Sequence, residues 1–409
     1  MAGWPRVRRQ PTSPAVVLGA GVNLIEVVRS LSLAGIDAAI VAPPRDPTSR
    51  SRHASSITTW DWPARRSVME ETALVEALLA FAARQPTPPP LLATSDEALL
   101  FCSRHRDPLA GGFELNLPPV ELVEALVDKA RFTTVAERFD LPVPRTMVIE
   151  PSAGPPPDVS CLRFPLVVKP HWRSPSWHEA IDAKACVIED DAALRTLWPR
   201  ITGTCTAFVI QEHIPGPESR VESYHVYRDR QGATLAEMTG RKIRTLPLVN
   251  GHTTSLVVTA RQDVWCCGRA IVERLDLRGV AKLDFKRAPD GRLVLLEVNA
   301  RCSLWHHPAA RAGVNFPAVM HADLTGAPGP PATARPGLRW VHPLDAVAAR
   351  RSGQPLHTWA RWARTCDAWA FWDRDDPLPL IHALAATTGA RLRQVAGRRP
   401  SREKTRGAR

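Results

Sequence analysis

Nowhere in the 409 residues is there an unbroken run of about 18 apolar side chains, so a membrane-spanning helix is excluded. The opening MAGWPRVRRQPTSP has no apolar core of the kind a secretory signal carries, and the expected address is cytoplasmic. None of the eight cysteines belongs to a C-x-x-C pair. The adjacent Cys266 and Cys267 suit neither a zinc knuckle nor a common bridge, so the cysteines read as free, mostly buried thiols. No repeat period points to a solenoid or a coiled coil. With 44% apolar and 23% charged residues the composition is that of an ordinary globular chain, long enough for two or three domains.

The net charge of +12 is confined to the ends. Residues 1–14 carry three Arg and no acid, residues 390–409 carry seven Arg, one Lys and one Glu, and only +2 remains for everything between. Cations gathered in two tails are solvated ends, not a folded basic face, and no nucleic-acid partner is expected.

Residues 15–43 read as strand (Ala15–Leu18), turn (Gly19-Ala20-Gly21), helix (Asn23–Ala34) and strand (Ala38–Val41), the opening of a parallel α/β sheet. A helix over 71–84 and a strand over 91–94 continue it, and Ser95-Asp96-Glu97 is suited to cap the next helix. The turn lacks the third glycine of a dinucleotide fingerprint, since position 24 is Leu, and no acid ends the strand at Val41; a nicotinamide site is not expected. One helical stretch runs from Val120 through Lys129 to Phe139, and PSAGPPPD at 151–158 reads as a linker. Short strands then fall at 166–169, 185–188, 207–212, 220–227, 234–238, 279–286 and 292–298, with helices near 190–199 and 262–275, so this half reads α+β. Residues 338–389 read as a small helical extension with Trp359, Trp362 and Trp369 in its core, and 390–409 as a disordered tail.

The most informative segment is Val280–Arg301. Pro289-Asp290-Gly291 is a turn signal between two alternating runs, a β-hairpin. With Arg287 opposite Arg292, Asp284 faces Leu295 and Glu297 faces Lys282. Alternation then places Lys282, Asp284, Glu297 and Asn299 on one face, the acids as diagonal neighbours, and Leu283, Phe285, Leu296 and Val298 in a core. Two carboxylates and an amide are hard oxygen ligands of the kind Mg²⁺ takes. On the hairpin alone, a solvated strand face with ordinary charges reads equally well. Upstream, Phe208-Val209-Ile210 runs into Gln211-Glu212-His213-Ile214-Pro215-Gly216-Pro217-Glu218, a strand end whose backbone groups can read an adenine edge, with Glu218 placed for ribose hydroxyls. Leu166-Val167-Val168 ends in Lys169, within reach of phosphates; Lys169 and Lys129 each also read, singly, as surface lysines. His306-His307 follow Arg301 closely and are read either as substrate contacts or as packing; a metal pair would need a third ligand.

Taken in order, Lys129, Pro165–Pro170, Gln211–Glu218, Lys282-Leu-Asp284 and Leu296–Arg301 resemble the ATP-grasp superfamily over residues 15–326. Asp128-Lys129, Gly240-Arg241-Lys242 and Glu297-Val-Asn299-Ala-Arg301 are most similar to the carboligase subgroup related to carbamoyl-phosphate synthase. The resemblance implies a Rossmann-like domain at 15–117 and a two-lobed ATP-grasp domain at 118–326. It implies ATP and Mg²⁺ as cofactors, with small-molecule carboxylate and amine substrates and no membrane partner. Monomer or homodimer stays open. By the same likeness Lys129 and Lys169 hold phosphates, and Gln211, Glu212 and Ile214 form the adenine hinge. Glu218 binds ribose, while Asp284, Glu297 and Asn299 bind Mg²⁺. Arg301 faces the acyl phosphate, with Lys242 a further phosphate contact. Lys282 either supports phosphate or pairs with Glu297. The implied activity is C–N ligation through an acyl phosphate; the alternatives are a bicarbonate-using, carbamoyl-phosphate-type enzyme and a non-catalytic ATP-binding protein. One departure stands out: the family's Gly- and Ser-rich phosphate loop is here HWRSPSWHEAIDA (171–183), without glycine, so that Arg173, Ser174 and Ser176 are left to take its place.

Overall fold

The computed structural model describes residues 13–62, 67–151, 154–172, 175–181 and 183–385. The basic tail at 390–409, all of the N-terminal tail but Ser13 and Pro14, and the loop residues Arg173 and Ser174 lie outside the described residues.

Among the described residues the strands form three sheets. The first is parallel and contains β1 (Ala15–Leu18), β2 (Ala38–Ala42), β3 (Ala54–Thr59) and β4 (Leu91–Ala93) in the order β3-β2-β1-β4. Its central strands are apolar throughout because helices cover both faces. The helix Gly21–Leu33 buries Leu24, Val27, Val28 and Leu31, the spacing that the sequence displays. Gly19 must be glycine: its φ is +143°, and a Cβ there would stand 1.9 Å from Thr94 Oγ1. The next turn explains the missing dinucleotide site. The Gly21 N–H, at the helix N-terminus where a phosphate would bind, donates to Asp46 Oδ2 at 2.7 Å.

The second sheet is antiparallel. It is built of β5 (Thr146–Ile149), β6 (Leu166–Pro170), β7 (Cys186–Ile188) and β8 (Phe208–Glu212) in the order β5-β8-β6-β7. Leu166, Val168, Phe208 and Ile210 pack on Leu194 and Trp198 of the helix Asp191–Ile201 and on Trp177.

The third sheet comprises β9 (Val221–Arg228), β10 (Thr234–Leu246), β11 (His252–Thr259), β12 (Gly279–Arg287), β13 (Leu293–Asn299), β14 (Arg339–Val341) and β15 (Ala368–Trp369). Their order is β13-β12-β9-β10-β11-β14-β15, antiparallel except for β14–β15. On one face Tyr224, Val226, Leu283 and Phe285 pack against the helix Gln262–Arg274. On the other, Tyr227, Met238, Leu256 and Val258 pack with residues of Gly21–Leu33 and Phe316–Thr325. The same face also carries Ser223, Lys282 and Asp284 at the end where its polar residues gather.

Several expectations change. Asp128 divides the stretch 120–139 into helices Val120–Val127 and Lys129–Arg138, its carboxylate accepting from the Ala130 N–H at 2.8 Å as an N-cap. Strand β10 runs eight residues past the expected end at 238, because Gly240-Arg241-Lys242 lacks the apolar alternation that marks a strand. The C-terminal segment holds two helices, Asp345–Arg351 and Leu356–Ala363, but β14 and β15 also extend the main sheet, with Trp340 fully buried among residues of the first sheet's helix. The eight cysteines are free, yet only Cys102 and Cys302 are buried; Cys161 and Cys266 are exposed. No described helix is long and apolar enough to cross a membrane.

Candidate active site

The hairpin β12–β13 sets the acids, and its register differs from the simplest one. Ala288 N–H donates to Arg292 O at 2.9 Å, closing a three-residue turn in which Gly291 takes φ +89°. Arg287 therefore pairs with Leu293, not Arg292. That shift alone would set Asp284 against Leu296. A bulge follows, however, and Glu297 pairs directly with Asp284, Lys282 with Asn299. The acids are immediate cross-strand neighbours, closer than the expected diagonal. Leu296, expected in the core, is the half-buried bulge residue, and Leu295 takes its place at 0% exposure.

Asp284 is buried and its charge is answered from three strands. Ser223 of β9 donates its hydroxyl to Oδ1, while Lys282 Nζ lies 2.5 Å and Lys242 Nζ of β10 3.5 Å from Oδ2. The ion pair of Lys282 is thus with Asp284, not Glu297. Burial opposes ionisation of Asp284, but Lys282 and Lys242 outweigh it and hold the carboxyl well below its usual range. Burial likewise opposes the charge of Lys242, and Asp284, Glu297 and Glu218 overturn it, holding the ammonium above its ordinary value. Glu297 opens to solvent, with Oε1 accepting from Asn299 Nδ2 at 3.1 Å. Partial desolvation and the Asp284 charge push its pKa up; the two lysines push it down and prevail.

The row continues in both directions. Arg301 Nη2 donates to Asn299 Oδ1 at 3.2 Å, and Nε to Asp96 Oδ1 at 2.6 Å. Asp96 opens the helix Asp96–Arg104 after β4; Ser95 does the capping, which leaves Asp96 to reach Arg301. At the other end Lys286 Nζ lies 3.4 Å from Glu218 Oε1. Lys169, the penultimate residue of β6, donates to Gln211 Oε1 at 2.9 Å. Burial brings its pKa from 10.5 down to about 8, assisted by Lys129 and opposed by Glu297 and Glu218, so these four groups share one field. Lys129 is carried there by its own N–H, which donates to His171 O at 3.2 Å, and by His171 Nδ1 against Asp128 Oδ2 at 3.0 Å. At the hinge, the side chains of Gln211 and Glu212 are engaged with Lys169 and with the Arg163 N–H. Ile214 lies just past the end of β8.

His306 and His307 are not part of this row. Both are buried in the helix His306–Ala312, His307 Nδ1 3.0 Å from Glu26 Oε2 and His306 stacked on Phe316. Burial pushes His306 down to about 3. After Lys169 the chain forms a helix, Pro175–Ile181, anchored by the buried Trp177, whose Nε1 donates to Ala183 O at 2.7 Å; Ser176 on it is exposed. Among the described residues no group of three or more His, Cys, Asp and Glu is arranged to hold a metal, so any cation here relies on two carboxylates and other oxygens.

No family model matches the sequence. A D-aspartate ligase of Enterococcus faecium (strain Aus0004) is 24% identical over 221 residues, 52% of this chain and 52% of that protein. A D-alanine–D-alanine ligase of Stutzerimonas stutzeri (strain A1501) is 26% identical over 216 residues, 48% of this chain and 64% of the relative. Each match therefore spans only about half to two thirds of the curated relative's length. Among solved structures, the ADP complex of an N5-carboxyaminoimidazole ribonucleotide synthetase superposes with a TM-score of 0.59 at 14% identity, covering 80% of both chains. The chain has the ATP-grasp fold.

Within the ATP-grasp cleft three residues were not singled out by the sequence reading: Ser223, Lys286 and Asp96. A signal for Lys286 was available. The chain has 46 Arg and only seven Lys, and five of the seven, Lys129, Lys169, Lys242, Lys282 and Lys286, share one electrostatic cluster with Asp284, Glu297 and Glu218. Lys286 also continues the period-two row Lys282, Asp284 on β12. The donor set fits Mg²⁺: two cross-strand carboxylates and an amide oxygen, with Glu297 facing the open side.

Proposed function

We propose that the chain is an ATP- and Mg²⁺-dependent ligase that activates a carboxylate as an acyl phosphate and transfers the acyl group to an amine. The observation that carries this reading is Asp284 set directly against Glu297, with Lys242 and Lys282 on one flank and Lys169 across the cleft. The two relatives that are ligases by name, and the ADP complex among structures of the same fold, support it.

In the reaction, a substrate carboxylate oxygen attacks the γ-phosphorus, the bond to the β,γ-bridging oxygen breaks, and ADP leaves. The amine lone pair then adds to the acyl carbon, phosphate departs with the C–O bonding electrons, and the nitrogen sheds a proton. Lys129, Lys169 and Lys242 neutralise the non-bridging phosphate oxygens as charge builds up. Asp284, Glu297 and Asn299 would hold Mg²⁺, which would supply further neutralisation of phosphate charge. Arg301, at the end of the row, orients the acyl phosphate towards the acceptor. In this reading the two lobes of residues 118–326 enclose the substrate between them, which keeps water from the acyl phosphate.

The test is an ADP-release screen against amino acids and short peptides as acid and amine. ADP and phosphate are expected only when a matching acid and acceptor are both present, and Lys169→Ala and Glu297→Ala abolish them. ATP binding without turnover across the screen would overturn the ligase reading in favour of a nucleotide-binding protein. Labelled bicarbonate entering the product would make bicarbonate the acid.

A further inference from the structure

Lys286 has no part in the roles assigned above, yet it is 4% exposed, an expensive place for an ammonium unless it serves the site. It stands two residues after Asp284 on the cleft face, about 7 Å further along the strand. Its direction is fixed by its neighbours. Lys286 pairs across the sheet with Val221, the residue immediately after the short helical turn Glu218–Arg220, and its charge reaches His213 at the hinge. Arg301 and Asn299 lie at the opposite end of the row. Lys286 therefore sits at the hinge end, and its Nζ is 3.4 Å from Oε1 of Glu218.

The choice of cation decides what is left of that carboxylate. Elsewhere in this chain Arg269 takes Glu237 with two N–H groups, Nε to Oε2 at 2.8 Å and Nη2 to Oε1, and consumes both oxygens. An ammonium is a point donor and can hold one oxygen from behind. We propose that Lys286 is the positioning residue for ribose recognition: it fixes Glu218 through Oε1, so that Oε2 faces the cleft and accepts from the nucleotide's 2′ and 3′ hydroxyls. This rests on the ATP-dependent reading, and it makes the Lys286–Glu218 pair the element that discriminates ribonucleotides from their deoxy analogues.

Calorimetric titration with Mg²⁺ and ATP, 2′-deoxy-ATP or 3′-deoxy-ATP tests it without any acid or amine substrate. Wild type is expected to prefer ATP over the deoxy nucleotides by about tenfold, the order of one charge-assisted hydrogen bond. Lys286→Met and Glu218→Gln are each expected to erase that preference. The double variant loses no more than either single one, since Lys286 acts only through Glu218. Lys286→Gln serves if the Met variant does not melt cooperatively. A retained preference in the Lys286 variants, or losses that add in the double variant, overturns the inference. If wild type binds no ATP at all, the functional reading itself falls.

Discussion

Two buried aspartates in the same sheet environment are held in opposite ways. Asp345, in the C-terminal segment, is saturated. Arg244 grips Oδ2 through Nε at 2.9 Å and Nη2 at 2.6 Å, Trp359 Nε1 donates to the same oxygen at 2.9 Å, and Thr254 and Ser255 donate to Oδ1 at 2.6 and 2.8 Å. Asp284 has one hydroxyl and two ammonium groups, the latter crowded on a single oxygen. A carboxylate with five directional donors has no valence to spare and serves as a rivet between β10, β11 and the helix Asp345–Arg351. A carboxylate balanced mainly by point charges keeps lone pairs that a cation can claim. In this Arg-rich chain the distinction follows residue type: arginine for the rivets, lysine for the cleft, with Arg301 the exception that joins the two.

The largest effect should come from the exchangeable pair. Asp284→Asn or Glu297→Ala is expected to lower ligase turnover by about 10³-fold, in the range seen when an electrostatic group aimed at the transition state is removed. Folding should survive, as checked by thermal melting. Next comes the rivet. Asp345→Ala strands Arg244 and is expected to cost about 3–5 kcal/mol of stability, measured by urea unfolding. Turnover per folded molecule should stay within about threefold. If Asp345→Ala stops catalysis as completely as Asp284→Asn while the protein remains folded, the division between the two aspartates is wrong.

A reciprocal exchange sharpens it. Lys242→Arg keeps the charge but brings a planar fork into space shaped for one ammonium, and turnover should fall about 10- to 100-fold with little loss of stability. Arg244→Lys should do the reverse. It forfeits one of the two bonds to Asp345 Oδ2 and the contact of the guanidinium over Trp362 at 4.2 Å, costing about 1–2 kcal/mol in unfolding measurements.

How much of this was legible in the sequence depends on period. Strands β1, β2 and β12 are announced by apolar runs or strict alternation, which puts Lys282 with Asp284 and Glu297 with Asn299; that all four share one face depends on the register as well. The direct pairing of Asp284 with Glu297 is not announced, because the bulge at Leu296 leaves no mark in a hydrophobic pattern. The full length of β10 was hidden by polar residues on both of its faces, although Lys242 itself was picked out by resemblance. Asp96 looked like a helix cap because Ser95-Asp96-Glu97 offers two capping groups and only three-dimensional proximity to Arg301 decides between them. The C-terminal tryptophans signalled a core, but nothing local told that Trp340 would enter the main sheet.

The smallest effect separates lysine from arginine by titration. Lys169 has its pKa brought down to about 8 by burial first and by Lys129 second. In the free protein its ammonium is therefore lost as pH rises through about 8, whereas an arginine in its place would keep its charge. Bound phosphates favour the protonated form, so above that pH nucleotide binding must take up a proton. The sign is a weakening of affinity with rising pH, about tenfold between pH 7 and 9 as the charged fraction falls. Stability of the free protein moves the other way. The unfolded chain holds the Lys169 proton up to its ordinary pKa near 10.5, so between about 8 and 10.5 it binds more protons than the folded chain, and this group's contribution to stability rises with pH. Calorimetry of ATP binding from pH 7 to 9 measures the first slope, and Lys169→Arg should flatten it. A flat wild-type profile would mean that Lys169 does not meet the phosphates, and the cation row would then lose its anchor on β6.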